Sequence, residues 1–391
     1  MTITSFCADV GYEMVTAVLP GFLSAIGVAA AALGWIEGAA DAVSSFLKLG
    51  SGWYSDRVSH RKPIVALGYF LSGTGLSLFA VAVSWPLVLM GRLVAWFGKG
   101  IRGPLRDAML SESTAPEARG KVFGMHRAGD TAGAVLGPLI GAWLLSVLPR
   151  PNVAAPYRSI FLVSLIPGLI AVASIVFLVV DRRTAQSPAR KPWKSAGDLP
   201  RPYLRFLTAA GVFGVGDFAP TLLVLAAAQL LTPSRGAVRA GEIAALLYVL
   251  RNLVYAATAF PAGALADRIS KTSLLAAGYA LGAATGFTAA ALFAYHVTGV
   301  ATIACVFVLA GIYIGVEDTL EGAIPADVVS PENRGTAYGL MGAVNGVGDL
   351  VASAAVGTLW TLVSPVVAFL FAGAAMAAGA GQMLAAGRHH Q

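Results

Sequence analysis

Stretches of about twenty apolar residues recur along the whole chain, each long enough to cross ~30 Å of hydrocarbon at ~1.5 Å per residue. Twelve can be drawn, at approximately 4–26, 33–54, 63–83, 85–106, 119–147, 157–181, 203–231, 240–262, 272–295, 298–322, 333–360 and 363–386. Few folds are open to such a chain. Every backbone N–H and C=O inside a bilayer needs an internal partner, and helices supply one segment by segment. Composition agrees, with 57% hydrophobic and 12% charged residues against the roughly 25% charged residues of a soluble domain. The expectation is an all-α integral membrane protein with twelve transmembrane helices.

The second half repeats the first. Gly52-x-x-x-Asp56-Arg57 returns as Gly263-x-x-x-Asp267-Arg268, 211 positions later. Pro116-Glu117-Ala118-Arg119-Gly120 with Phe123-Gly124 returns as Pro331-Glu332-Asn333-Arg334-Gly335 with Tyr338-Gly339, 215 positions later. Two pseudo-symmetric six-helix halves follow, residues 1–181 and 203–391, joined by a polar, basic, proline-containing linker at 182–202 that is too charged to span. The N-terminus shows neither a basic n-region nor a small-residue cleavage site, so the first helix is expected to be retained rather than removed as a signal peptide.

The net charge of +7 does not point to nucleic acid, because the basic residues gather in alternate loops. Arg57, Arg61 and Lys62 follow the second span, Arg119 and Lys121 the fourth. Arg182, Arg183, Arg190, Lys191, Lys194 and Arg201 lie in the central loop, and Arg268, Lys271 and Arg334 in matching loops of the second half. Arg150, Arg158, Arg235 and Arg239 are exceptions. The positive-inside rule then places both termini and the linker on the cytoplasmic side of a plasma (inner) membrane. The lipid bilayer is the expected partner, with no nucleic acid.

Carboxylates inside the spans carry the functional signal. Asp9 and Glu13 share one face of the first helix, as do Glu37 and Asp41 on the second. A charge facing mid-bilayer lipid costs at least ~2.5–3.5 kcal/mol, so these groups face a polar cavity or lie hydrated near a helix end, the reading open for Glu37. Asp217 with Pro220 suggests a broken seventh span. Arg251 and Asn252 fall near mid-bilayer, where the arginine needs a partner such as Asp217 or Asp41, or else meets substrate. Arg127, Asp130, Asn345 and Asp349 complete the candidate cavity set, Asn345 standing 215 positions after Asp130.

The same offset carries Arg102 onto Glu317 and Arg106 onto Glu321. Opposite charges at matching depth suggest an inner gate closed by these four residues, the alternative being that each acid pairs within its own half. Gly133, Gly137, Pro138 and Gly141 form a small-residue face with a proline bend, fit for close helix packing and equally open to a transport role.

Two six-helix halves, a basic central loop and Gly52, Asp56, Arg57 and Arg61 between the second and third spans resemble the major facilitator superfamily over the full length. The resemblance implies the major facilitator fold and a conformational latch in that loop, where Ser59-His60 stands in place of the usual Gly-Arg. The Gly133, Gly137, Pro138, Gly141 run resembles the superfamily's antiporter motif, which implies proton-coupled export. Asp9-x-x-x-Glu13-Met14, Gly98-Lys99-Gly100-Ile101-Arg102 with Arg106-Asp107-Ala108, and Arg119-Gly120 with His126-Arg127 and Asp130 are similar to a bacterial permease subgroup that includes nickel-resistance-type efflux proteins.

The expected activity is secondary transport by alternating access around a midplane site, driven by the proton gradient, with no cofactor, no catalytic residues and no metal site. Burial disfavours a charged carboxylate, so a carboxylate alternately buried and hydrated can carry a proton across. Asp9, Glu13, Asp41, Asp130 and Asp217 are candidates, Glu13 and Asp130 first. Only Arg127 and Arg251 are read as opposing these acids, which favours export of a small cationic or drug-like substrate. A divalent metal exporter and a proton-driven importer of an organic solute are the alternatives. One chain holds both halves, so a monomer is expected to suffice.

Overall fold

The structure is a computed structural model and describes residues 1–55, 58, 60–114, 118–180, 199–330 and 333–388. Asp56, Arg57 and Ser59 of the signature loop, and residues 182–198 of the expected linker, lie outside the described residues.

Fourteen α-helices follow one another among the described residues: α1 (Thr2–Ala25), α2 (Ala30–Ser55), α3 (Lys62–Ser77), α4 (Trp85–Glu112), α5 (Arg119–Val147), α6 (Ala155–Val163), α7 (Leu165–Leu178), α8 (Arg201–Gly214), α9 (Pro220–Arg235), α10 (Ala237–Ala266), α11 (Lys271–Ala294), α12 (Val300–Val328), α13 (Arg334–Leu362) and α14 (Pro365–Arg388). A helix lies over each expected apolar stretch, and among the described residues nine helical segments are long and apolar enough to cross a membrane. The stretches outside those nine are α2 and α4, which carry several charged residues, and the pair α8 and α9, each too short alone.

Two expected spans are split. The sixth breaks at Ser164 between α6 and α7, three residues before Pro167, whose missing N–H cannot bond the Val163 carbonyl. The seventh breaks between Gly214 and Pro220, with Asp217 in the gap and Pro220 at the first position of α9. The freed backbone is satisfied locally. The Ala219 N–H donates to Ser353 Oγ at 3.0 Å, and the Asp217 N–H to the Gly214 carbonyl at 3.2 Å.

The chain divides into two compact units. The first comprises residues 1–28, 39–190 and 237–249, and the second residues 29–38, 191–236 and 250–391. The stretches that fall with the opposite half end at Gly38 and Val249. Those positions differ by 211, the offset of the repeated Gly-x-x-x-Asp-Arg motif, so α2 and α10 are counterparts in packing as well as in sequence.

In the first unit α1 packs on α5, α6 and α7, and α3 on α4 and α7. Small residues set these approaches. A Cβ on Gly137 would stand 2.5 Å from the Val10 carbonyl oxygen, and one on Gly133 2.8 Å from Asp9 Cβ. The antiporter-like face of α5 is thus a packing seam against α1. In the second unit α11 packs on α14 and α12, and α8 on α14 and α13. Phe213 stacks on Tyr279 there with ring centroids 3.7 Å apart. The start of α2 lies on α13, where a Cβ on Gly38 would meet Leu350 Cα at 2.9 Å.

Candidate functional site: two polar interiors

The first unit's polar interior is built by α1, α2, α4, α5 and the start of α10. Glu13 is 6% exposed and accepts a hydrogen bond from the Tyr248 hydroxyl at 2.9 Å. Asp41 accepts from the Trp96 indole N–H at 2.6 Å. Trp96 in turn carries the Arg92 guanidinium 3.6 Å from its ring centroid, and Arg92 donates to Thr16 Oγ1 at 3.2 Å. Asp9 lies within electrostatic reach of Asp130, Arg102, Lys99 and Glu13. Asp130 faces His126 one turn earlier, 3.7 Å between Oδ2 and Nε2. Of the expected cavity residues in this unit, Asp9, Glu13, Asp41 and Asp130 are brought into one interior, whereas Arg127 is exposed on α5.

Three bases share this interior. Arg92 is 1% exposed, Arg102 is 5% exposed and Lys99 lines an internal cavity with it. Arg92 lies well inside an apolar stretch and was legible as an intramembrane charge. Lys99 and Arg102 sit near the end of their expected span, where the sequence alone does not show which helices cover them. The expected excess of acid over base is therefore much reduced in this unit.

The second unit's interior is built by the α8–α9 break, α10, α11, α12 and α13. Asp217 accepts from the Tyr313 hydroxyl at 2.9 Å and lies close to Glu317. Glu321 accepts from the Tyr279 hydroxyl at 2.5 Å and from the Asn345 amide at 2.9 Å. Asp318 accepts from Tyr255 at 2.8 Å. Arg251 donates to Asn252 at 3.0 Å and attracts Asp217 through space, while Asp349 adds a further negative charge near Glu317. Carboxylates predominate: Asp217, Asp318, Glu321 and Asp349 all lie within electrostatic reach of Glu317, and Arg251 within reach of Asp217. Glu317 is 6% exposed, and its Oε2 has no hydrogen-bond partner among the described residues.

The four expected gate residues have described partners inside their own units. Arg102 lies 4.1 Å over the Tyr69 ring, and Arg106 bonds Asp107 at 2.9 Å and Ser5 at 3.1 Å. Glu321 takes Tyr279 and Asn345, and Glu317 meets Asp217. Of the signature loop, Gly52 lies near the end of α2. Arg61 is buried, pairs with Glu112 at 2.6 Å and donates from Nε to the Ser55 carbonyl at 3.0 Å.

Comparison with known proteins closes the identification. The family model of the Major Facilitator Superfamily matches residues 1–239 and 236–388. An uncharacterized MFS-type transporter of Methanocaldococcus jannaschii is 31% identical over 371 residues, covering 94% of this chain and 89% of the relative. The multidrug resistance protein MdtH of Photorhabdus laumondii is 32% identical over 124 residues, 32% of this chain and 31% of that protein. Among solved structures, the nucleoside transporter NupG (a D323A mutant) superposes with a TM-score of 0.78 at 14% identity, over 98% of both chains, a likeness of fold. The chain is a membrane-spanning transporter and belongs to the Major Facilitator Superfamily.

Proposed function

We propose that this transporter exports a small cationic or drug-like substrate in exchange for protons, by alternating access, with both termini on the cytoplasmic side. The observation that carries the reading is the acid-rich interior of the second unit. Asp217, Asp318, Glu321 and Asp349 near Glu317, with Arg251 near Asp217, leave negative charge that protons or a cation can balance. The similarity to MdtH over a third of the chain supports export, since that relative is a multidrug resistance protein. The alternating basic loops support the orientation.

The test is cellular. Cells expressing the protein should accumulate less of a fluorescent lipophilic cation than control cells, and a protonophore should abolish the difference. Higher accumulation in the expressing cells would establish an importer instead.

A further inference from the structure

An aromatic corner on α1 and α4 holds an ammonium group, and that group belongs to the protein itself. Tyr12 and Trp96 meet edge to face, with ring centroids 5.8 Å apart and planes at 90°. The Lys99 ammonium sits against both rings, 4.6 Å from the Tyr12 centroid and 5.0 Å from that of Trp96. Asp41 fixes the indole by accepting its N–H at 2.6 Å. Asp41, Asp9 and Glu13 attract Lys99 through space, and Lys48 repels it.

Aromatic rings beside carboxylates suit any alkylammonium, not a lysine side chain alone. Carboxylates withdrawn from water inside membrane helices also need a cation nearby throughout a transport cycle. Lys99 makes no ion pair among the described residues, so a free ammonium that takes its place breaks no salt bridge. The open space in the cavity that Tyr12, Trp96 and Lys99 line admits little more than a water-sized particle. A second ammonium group therefore enters the corner only where Lys99 has withdrawn.

We propose that the corner of Tyr12 and Trp96 is the subsite for the substrate's alkylammonium group, and that Lys99 is a tethered stand-in that fills it when no substrate is bound. The role in transport rests on the export of a cation argued above, whereas the affinity of the corner for an ammonium does not. Lys99 gives way as the substrate's ammonium arrives and returns when it leaves, so Asp9, Glu13 and Asp41 keep a counter-ion in both states.

The test is thermal unfolding of the purified full-length protein in detergent at constant pH and ionic strength, with n-butylammonium replacing sodium and 1-butanol as the uncharged control. Lys99→Ala vacates the corner, and a saturable rise of ~2 °C is expected at tenfold excess over half-saturation, with none in butanol. Half-saturation should lie at least tenfold higher in the unmodified protein, and at least tenfold higher again than in Lys99→Ala when Trp96→Leu is added to that variant. No butylammonium response in Lys99→Ala, an equal response to butanol, or a response undiminished by Trp96→Leu would overturn the proposal. Should Lys99→Ala not survive purification, extraction in butylammonium decides: folded protein recovered there and not in butanol supports the subsite, and recovery in neither overturns it. Export of a lipophilic cation is measured separately in cells. Export without a butylammonium response in Lys99→Ala overturns the subsite alone, and the response without export overturns the export reading and the transport role of the subsite with it.

Discussion

Tyr313, on α12, donates its hydroxyl to Asp217 in the break between α8 and α9, 2.9 Å from oxygen to oxygen. The break places the carboxylate in the interior of the second unit, and the tyrosine fixes its direction. Asp217→Asn removes an ionisable group and, on the proposed proton exchange, is expected to abolish proton movement coupled to substrate, while exchange of labelled substrate across the membrane persists. Tyr313→Phe keeps the acid but loses one hydrogen bond to a charged group, worth ~1.5–3 kcal/mol, and should slow coupled flux by about tenfold or more. Both are read in proteoliposomes at equal protein content. Coupled flux unchanged in Asp217→Asn would remove this residue from the proton path.

The α1–α5 seam has graded tightness along its glycines. A Cβ at Gly137 would stand 2.5 Å from the Val10 oxygen and 2.9 Å from the Met14 nitrogen, whereas at Gly141 the nearest atom is 3.2 Å away. Gly137→Ala must push backbone against backbone and is expected to destabilise by ~1–3 kcal/mol. Gly141→Ala should be milder. Melting temperatures in detergent check the ranking, and a larger loss at Gly141 would contradict the seam.

Arg61 ties the loop after α2 to the end of α4 through Glu112 at 2.6 Å and the Ser55 carbonyl at 3.0 Å. The two partners differ in exposure, 5% for the arginine side chain and 40% for the glutamate. Arg61→Gln should therefore lower the melting temperature more than Glu112→Gln. Solvent screening should hold the coupling of the pair, from a double-mutant cycle, to ~1 kcal/mol or less, decreasing with added salt. Equal effects from both single changes would show that the carboxylate, rather than the buried guanidinium, dominates this contact.

Much of the fold was legible because a bilayer permits so few answers. The apolar stretches located the helices, and Asp217 with Pro220 marked the α8–α9 break. The second break was hidden, since apolar composition runs unbroken through Ser164 and only the absent N–H of Pro167 signals it. The exchange of residues 29–38 and 237–249 between units was also hidden, because it depends on which helix each segment packs against.

The acids of the site were legible as charges in apolar surroundings, but their partners were not. Tyr248, Tyr279 and Tyr313 are ordinary residues in a membrane helix until packing aims their hydroxyls at Glu13, Glu321 and Asp217. The neighbours of Lys99 and Arg102 were hidden for a related reason. Depth counted along one helix does not say what the neighbouring helices cover.

The central claim is proton-coupled export, and it is tested most directly in proteoliposomes carrying a pH-sensitive dye inside. A proton gradient is imposed, lipophilic cations, divalent metals and neutral solutes are added in turn, and proton flux is recorded for the unmodified protein and for Asp130→Asn. The account predicts that a lipophilic cation evokes proton movement opposite to its own, and that Asp130→Asn loses it. Proton movement in the same direction as the substrate, or a response to divalent metals alone, would contradict it.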